Sequence, residues 1–242
     1  SLTVTNTAGS VVLDQNNDVA TVTIANAVGD VTYNTNRATT TDIAGIQGVN
    51  VDLDSENGFT QSGVITAMSL DVTNTVAGDV VLDQNNDVAT VAISNALGDV
   101  TYNTNRVGST ATATATLTGD AVNTPVTVDF GGLGYTPSST TIPVTFSASP
   151  TGTTATGVAN SDVNGVITSI TVTNPGSGYT IAPTIIIGDP LPLPTDIAGI
   201  EGLNVDLDSE NGFTQSGAIT ATSLDVTNTV AGNVVLDQNN DV

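Results

Sequence analysis

The chain has 242 residues, with Lys+Arg of 2 against Asp+Glu of 24, a formal net charge of −22, and no Cys, His or Trp. Two cations cannot release the counterions of a phosphate backbone, which excludes nucleic-acid binding and disfavours anionic membrane surfaces. Charged residues make up only 11% and hydrophobic ones 38%, so the acidity does not signal disorder and a buried core is expected.

Membrane insertion is also excluded, because the longest apolar run, around Ile185 to Ile187, is far too short to span a bilayer. Without Cys there is neither a disulfide framework nor a thiol nucleophile. The chain opens on SLTVTNT, which reads as a segment cut from a longer precursor.

Along the chain the first strong signal is repetition. VVLDQNNDVATV begins at Val11 and returns at Val80, and VVLDQNNDV returns again at Val234. GDVTYNTNR at Gly29 and Gly98 keeps the same 69-residue shift, whereas NVDLDSENGFTQSG at Asn50 and Asn204 is displaced by 154. The difference, 85 residues, measures an insertion between about Val107 and Pro194. Three segments follow: repeat coils over 1–106, an inserted domain over 107–194, and resumed coils over 195–242.

Inside the unit a shorter period appears. Val11, Val31 and Val51 are spaced by twenty, as are Leu13, Tyr33 and Leu53. Apolar residues alternate with Thr, Asp and Asn, the period of a strand with one buried face, so each twenty residues form one coil and three coils form a unit. Stacked coils place Val11, Val31 and Val51, and Leu13, Tyr33 and Leu53, in inward columns, with Asp14, Asn34 and Asp54 in an outward one. Asn17, Arg37 and Asn57 form a turn column. Arg37 then lies beside Asp18 and Glu56, and Arg106 beside Asp87 and Glu210, as charge compensation or as a ligand contact. The fold class is all-β: a right-handed parallel β-helix with an inserted small β-domain.

These phrases carry a resemblance. VVLDQNNDVATVTIANAVGDVTYNTN followed by NGFTQSGVITAMSLDVTNTVAGDVVLDQ is similar to the filamentous-haemagglutinin-type large exoproteins, over about residues 1 to 106 and 195 to 242. The resemblance implies a right-handed β-helix, secretion across a bacterial outer membrane by a partner transporter, and a role in adhesion or aggregation.

The insertion changes character, gaining Pro and a Thr/Ala run from Thr110 to Thr116. GGLGYTPSSTTIPVTF at Gly131 is echoed by PGSGYTIAPTIII at Pro175, with Tyr135 and Tyr179 separated by 44. A small β-domain of pseudo-twofold character is expected, projecting sideways from one coil, with Asn164 to Val166 as a hairpin turn. Tyr135 and Tyr179 either stack on a sugar or pack over their own glycine turns.

DLDSENG makes Asp52, Asp54 and Glu56, and equally Asp206, Asp208 and Glu210, the calcium candidates. Their spacing departs from an EF-hand loop, and the alternation follows from an exposed strand face. Calcium is the one cofactor left open. No catalytic residue stands out: with no Lys and no His the usual general bases are missing, so an enzyme is not expected. The expected function is an extracellular fibre or adhesin shaft at a bacterial cell surface, self-associating end to end or laterally. The alternative is a binding module whose inserted domain recognises a cell-surface glycan or protein.

Overall fold

The computed structural model describes residues 1–26, 28–230 and 232–242. The described residues are all β, and the chain divides into two compact units, one of Ser1–Arg106 with Leu193–Val242 and one of Val107–Pro192. Leu193 and Pro194, placed in the insertion by composition, group with the coils. The first unit begins with β1 (Leu2–Thr5), β2 (Val11–Asn17), β3 (Thr21–Ala25), β4 (Val31–Thr35), β5 (Thr41–Gln47), β6 (Asn50–Ser55), β7 (Phe59–Asn74), β8 (Val80–Ser94) and β9 (Val100–Thr104). The second unit holds β10 (Thr112–Thr114), β11 (Leu117–Thr118), β12 (Ala121–Val122), β13 (Thr127–Phe130), β14 (Ile142–Phe146), β15 (Thr156–Ser161), β16 (Ile167–Asn174) and β17 (Ile185–Ile187). The first unit resumes with β18 (Thr195–Glu201), β19 (Asn204–Ser209), β20 (Phe213–Gln215), β21 (Ile219–Thr220) and β22 (Ser223–Asn228).

In the first unit the strands pair in parallel and form two stacks. One runs β1, β3, β5, the start of β7, the start of β8, β9, β19 and β22. The other runs β2, β4, β6, the end of β7, the end of β8, β18, then β20 and β21. Strands β7 and β8 turn the corner and belong to both. Inward side chains of the two stacks share one core, including Val22, Ile24, Ile43 and Ile65 from the first and Tyr33, Leu53, Leu70 and Val72 from the second. Each buried aliphatic contributes about 1.5–3 kcal/mol against the entropy of ordering. The architecture is a β-solenoid.

Core columns cross the insertion without a break. Leu13 stacks on Tyr33, then Leu53, Val72 and Ile93, and the next partners are Ile200 and Ile219. The 69-residue unit contains β2 to β6 and both halves of β7, which is seven strand segments. It therefore spans three and a half coils rather than the expected three. The second copy of VVLDQNND, in β8, accordingly starts in the opposite stack from the first, in β2. At about 4.8 Å per coil, one unit advances roughly 17 Å with a half turn.

The LDQNN corner is a bulge. Leu82 sits on Tyr102, but Asn86, four residues on, sits on Thr104, only two residues on, and Leu13 and Asn17 do the same against Tyr33 and Thr35. The expected turn column is corrected by this shift, since Asn17 stacks on Thr35 and not on Arg37. The extra residues free backbone groups, and the asparagine turns inward to meet them. Fully buried Asn86 donates from Nδ2 to Leu82 O (3.1 Å), Asn103 O (3.0 Å) and, in a shared bond, Gln61 Oε1 (3.2 Å). Its Oδ1 accepts from Gln61 Nε2 (2.6 Å) and the Ile65 amide (2.9 Å). A second ladder joins Asn74 Nδ2 to Asn95 Oδ1 (2.9 Å). Gly98 lies beside it, where an added Cβ would stand 2.1 Å from Gly78 O, so the coil spacing there requires glycine.

The second unit is antiparallel and internally duplicated with an offset of 44. β10 pairs with β13 as β15 pairs with β16, so that Ala113 opposite Val128 repeats as Gly157 opposite Val172. β14, from the first copy, completes a sheet with β15 from the second, and β17 closes on β14. The β15–β16 hairpin turns at Asp162 to Gly165, where Gly165 has a φ of 73° and the Asp162 carboxylate accepts from the Asn164 and Val166 amides. A small core of Val122, Ile142, Phe146, Ile167, Ile170 and Ile187 holds the unit.

Candidate functional site

Tyr135 and Tyr179 are only 4% and 3% exposed, so neither ring offers a face to a sugar, and the stacking reading is corrected. Burial follows from the duplicated turn: Tyr135 Oη accepts from the Ala111 amide (2.8 Å) and Tyr179 Oη from the Ala155 amide (2.9 Å). Each ring edge packs over the turn, since a Cβ on Gly132 or Gly176 would meet it at 3.0 Å.

The two arginines close equivalent corners. Arg37 Nη1 donates to Thr40 O (2.8 Å) and to the Thr39 hydroxyl, with Nε 3.4 Å from Asp18. Arg106 Nη1 donates to Pro194 O (3.2 Å), with Nε 4.0 Å from Asp87. The Thr35–Thr41 hydroxyl pair beneath the first corner recurs as Thr104–Thr195 at 2.8 Å, although 88 residues now separate Arg106 from Thr195 where three separate Arg37 from Thr41. One corner chemistry thus serves with and without the insert. Asp18 and Asp87 are the partners; no ion pair joins Glu56 or Glu210 to an arginine among the described residues.

Outward carboxylates line each stack. Asp52 pairs in register with Asp71 and Asp206 with Asp225, like charges on adjacent strands. Partial burial raises the pKa of Asp52, with Asp54 and Asp71 adding to it, and that of Asp206, with Asp208 and Asp225 adding to it. Asp54 is raised by burial and then by Asp71. Among the described residues no three His, Cys, Asp or Glu side chains gather as a metal cluster. The calcium candidates separate in place: Asp54 and Glu56 line a groove, and Asp208 and Glu210 line its counterpart, whereas Asp52 and Asp206 line neither.

That groove was not foreseen. Asn16, Asn34, Asp54, Glu56, Thr73 and Thr75 line the first copy, about 370 Å³, and Asn85, Asn103, Asp208, Glu210, Thr227 and Thr229 the second, about 250 Å³. Because a unit is three and a half coils long, the two copies lie in opposite stacks. Asn34 Nδ2 donates to Asp14 O (3.1 Å) and Asn103 Nδ2 to Asp83 O (3.0 Å), which fixes both amides. Asn34 Oδ1 and Asn103 Oδ1 are buried without a hydrogen-bond partner.

Fold and surface together define a class, a β-solenoid repeat protein interrupted by a duplicated β-domain. No family model, curated protein or solved structure matches the chain.

Proposed function

We propose that the chain is a length of extracellular fibre or adhesin shaft at a bacterial cell surface, of the filamentous-haemagglutinin type that its repeats resemble. What carries this reading is the core column from Leu13 to Ile219, which keeps its register past the insertion. A stack held by nearest-neighbour contacts gains length by adding coils, with no new interface at each step. Its outward carboxylate columns suit a solvated shaft. Electron micrographs of the native material are expected to show thin filaments with an axial repeat. Compact separate particles would overturn the reading.

A second reading, the binding module, is favoured by one observation. The outer face of β14 and β17 sets Thr145 beside Ile186, which is 66% exposed. In this reading that face is where a glycan or protein would be met, with the solenoid as spacer. Replacing residues 107–194 by the Ala-Thr-Thr of the first corner tests it. Fibres that persist while attachment disappears support the module; attachment unchanged removes it.

A further inference from the structure

We propose that two strips of outward aliphatic side chains at the coil corners are contact surfaces on which a second copy of this chain packs side by side. In the first strip Val28, Val49 and Met68 follow one another on successive coils, with the Val49 amide donating to Gly29 O (2.9 Å) and the Met68 amide to Val49 O (2.8 Å). In the second, Val76, Leu97 and Leu203 do the same at the opposite corner, where the Leu203 amide donates to Gly98 O (2.9 Å). Leu97 repeats Val28 and Leu203 repeats Val49. The half coil in the unit therefore puts one strip on each edge of the solenoid, roughly 17 Å apart along the axis.

These side chains lie outside because the inward places are taken. A Cβ on Gly48 would meet Val51 Cγ2 at 2.9 Å, and one on Gly202 would meet Val100 Cγ2 at 2.9 Å, so glycine fills the core side of each tight corner and its neighbour faces out. Ala67 is buried beside Met68 in the same way. Val49 is half-buried, and the other five are 45–66% exposed. A single exposed aliphatic is ordinary. One on each of three successive coils, at a turn position that Asn, Asp or Ser would serve as well, makes an apolar strip on a chain of net charge −22.

Charge and area choose the occupant. The carboxylates that follow the corner glycines are tied back: Asp30 Oδ1 accepts from the Asn50 backbone amide (3.2 Å) and Nδ2 (2.8 Å), and Asp99 Oδ1 from the same groups of Asn204 (3.2 and 2.8 Å). The strips thus offer methyl groups rather than ion pairs. Three side chains fall well short of the roughly 1,200 Å² that a specific contact buries, so one strip alone is too small to hold a globular partner. Each copy, however, has a strip on both edges, and along a longer run of units strip after strip comes into register only against a solenoid of the same repeat. Side-by-side packing goes beyond the shaft reading and does not need it, because association of the chain in solution reports it directly.

The test is sedimentation of the full chain over a series from micromolar to millimolar, in about 0.05 M and about 1 M sodium chloride. The average mass is expected to climb above the monomer with concentration, and to climb further in the higher salt, where repulsion between acidic copies is screened. Val28→Thr/Met68→Gln and Leu97→Gln/Leu203→Gln leave the charge unchanged. Each pair should lower the association constant, and the two together should lower it by at least about tenfold. Ile186→Gln, at an exposed position of the other unit, should leave it unchanged, and far-ultraviolet circular dichroism reports that each variant is folded. A chain that stays monomeric throughout overturns the proposal and leaves the strips to a different partner. Association that ignores the strip variants, that Ile186→Gln weakens equally, or that salt weakens, as an ionic contact would be, overturns it as well.

Discussion

Asn86→Ala is expected to destabilise the solenoid by about 3–5 kcal/mol, among the largest losses available to a single polar side chain here. Truncation leaves Leu82 O, Asn103 O, the Ile65 amide and the Gln61 carboxamide without the partner that each now has inside the core. Water cannot replace it, because the residue is fully buried. Asn17, the equivalent residue of the first unit, is an internal control. It makes the local bonds to Leu13 O (2.9 Å) and Asn34 O (2.9 Å), but it is partly exposed and no glutamine answers it. Asn17→Ala should therefore cost only about 1 kcal/mol. Urea unfolding of both variants, followed by far-ultraviolet circular dichroism, checks the pair. A loss for Asn86→Ala no larger than that for Asn17→Ala would remove the inward asparagine from the account of what holds the corner.

That corner also shows where reading the sequence stops. Coil length and the inward columns were legible because a buried strand face imposes strict alternation, so Val31, Tyr33, Val51 and Leu53 announce themselves. LDQNN reads as an exposed polar turn by the same rule. It is instead a bulge in which one amide side chain replaces lost ladder bonds, and composition does not distinguish an asparagine in water from one that caps buried backbone. The half coil was hidden for a related reason. β7 passes from one stack to the other around Ala67 and Met68, with no Gly, Pro or Asn to mark the corner between its two segments. That unmarked corner is the extra half coil that makes the unit three and a half coils long and sets the two copies of the motif in opposite stacks.

The groove was harder still to anticipate. Asn34, Asp54 and Thr73 come from three successive coils, and they meet because β4, β6 and the end of β7 pair without a register shift. Asp54 and Glu56 stand out in the sequence as carboxylates, whereas the buried, unpartnered oxygen of Asn34 beside them has no sequence signal. For the tyrosines the glycine turns were the usable signal. A Gly-x-Gly-Tyr sequence leaves room for the ring over the turn, and a ring so placed has no free face.

The two units should respond to acid in opposite directions. In the solenoid, Asp52, Asp54, Asp87 and Asp206 have pKa values raised chiefly by burial, with Arg106 opposing the shift at Asp87. A carboxyl group that holds its proton more tightly when folded takes up protons on folding, so its contribution is fully present below the unfolded value and is lost as pH rises through the raised folded value. Stability of the coils should accordingly increase as pH falls from 7 towards 4. In the second unit Asp162 is held below the usual range by the Val166 amide and then by Asn164. Its contribution is present above the unfolded value and lost as pH falls through the folded one. Amide exchange on the intact chain separates the two, with Leu53 and Leu207 reporting on the coils and Ile167 and Ile170 on the insertion. Protection should rise at the first pair and fall at the second on acidification. Because burial rather than neighbouring charge is the larger cause in the coils, about 1 M salt should reduce the gain there without abolishing it. A gain that vanishes in salt would mean that repulsion along the carboxylate columns, and not their partial desolvation, sets the pH response of the shaft.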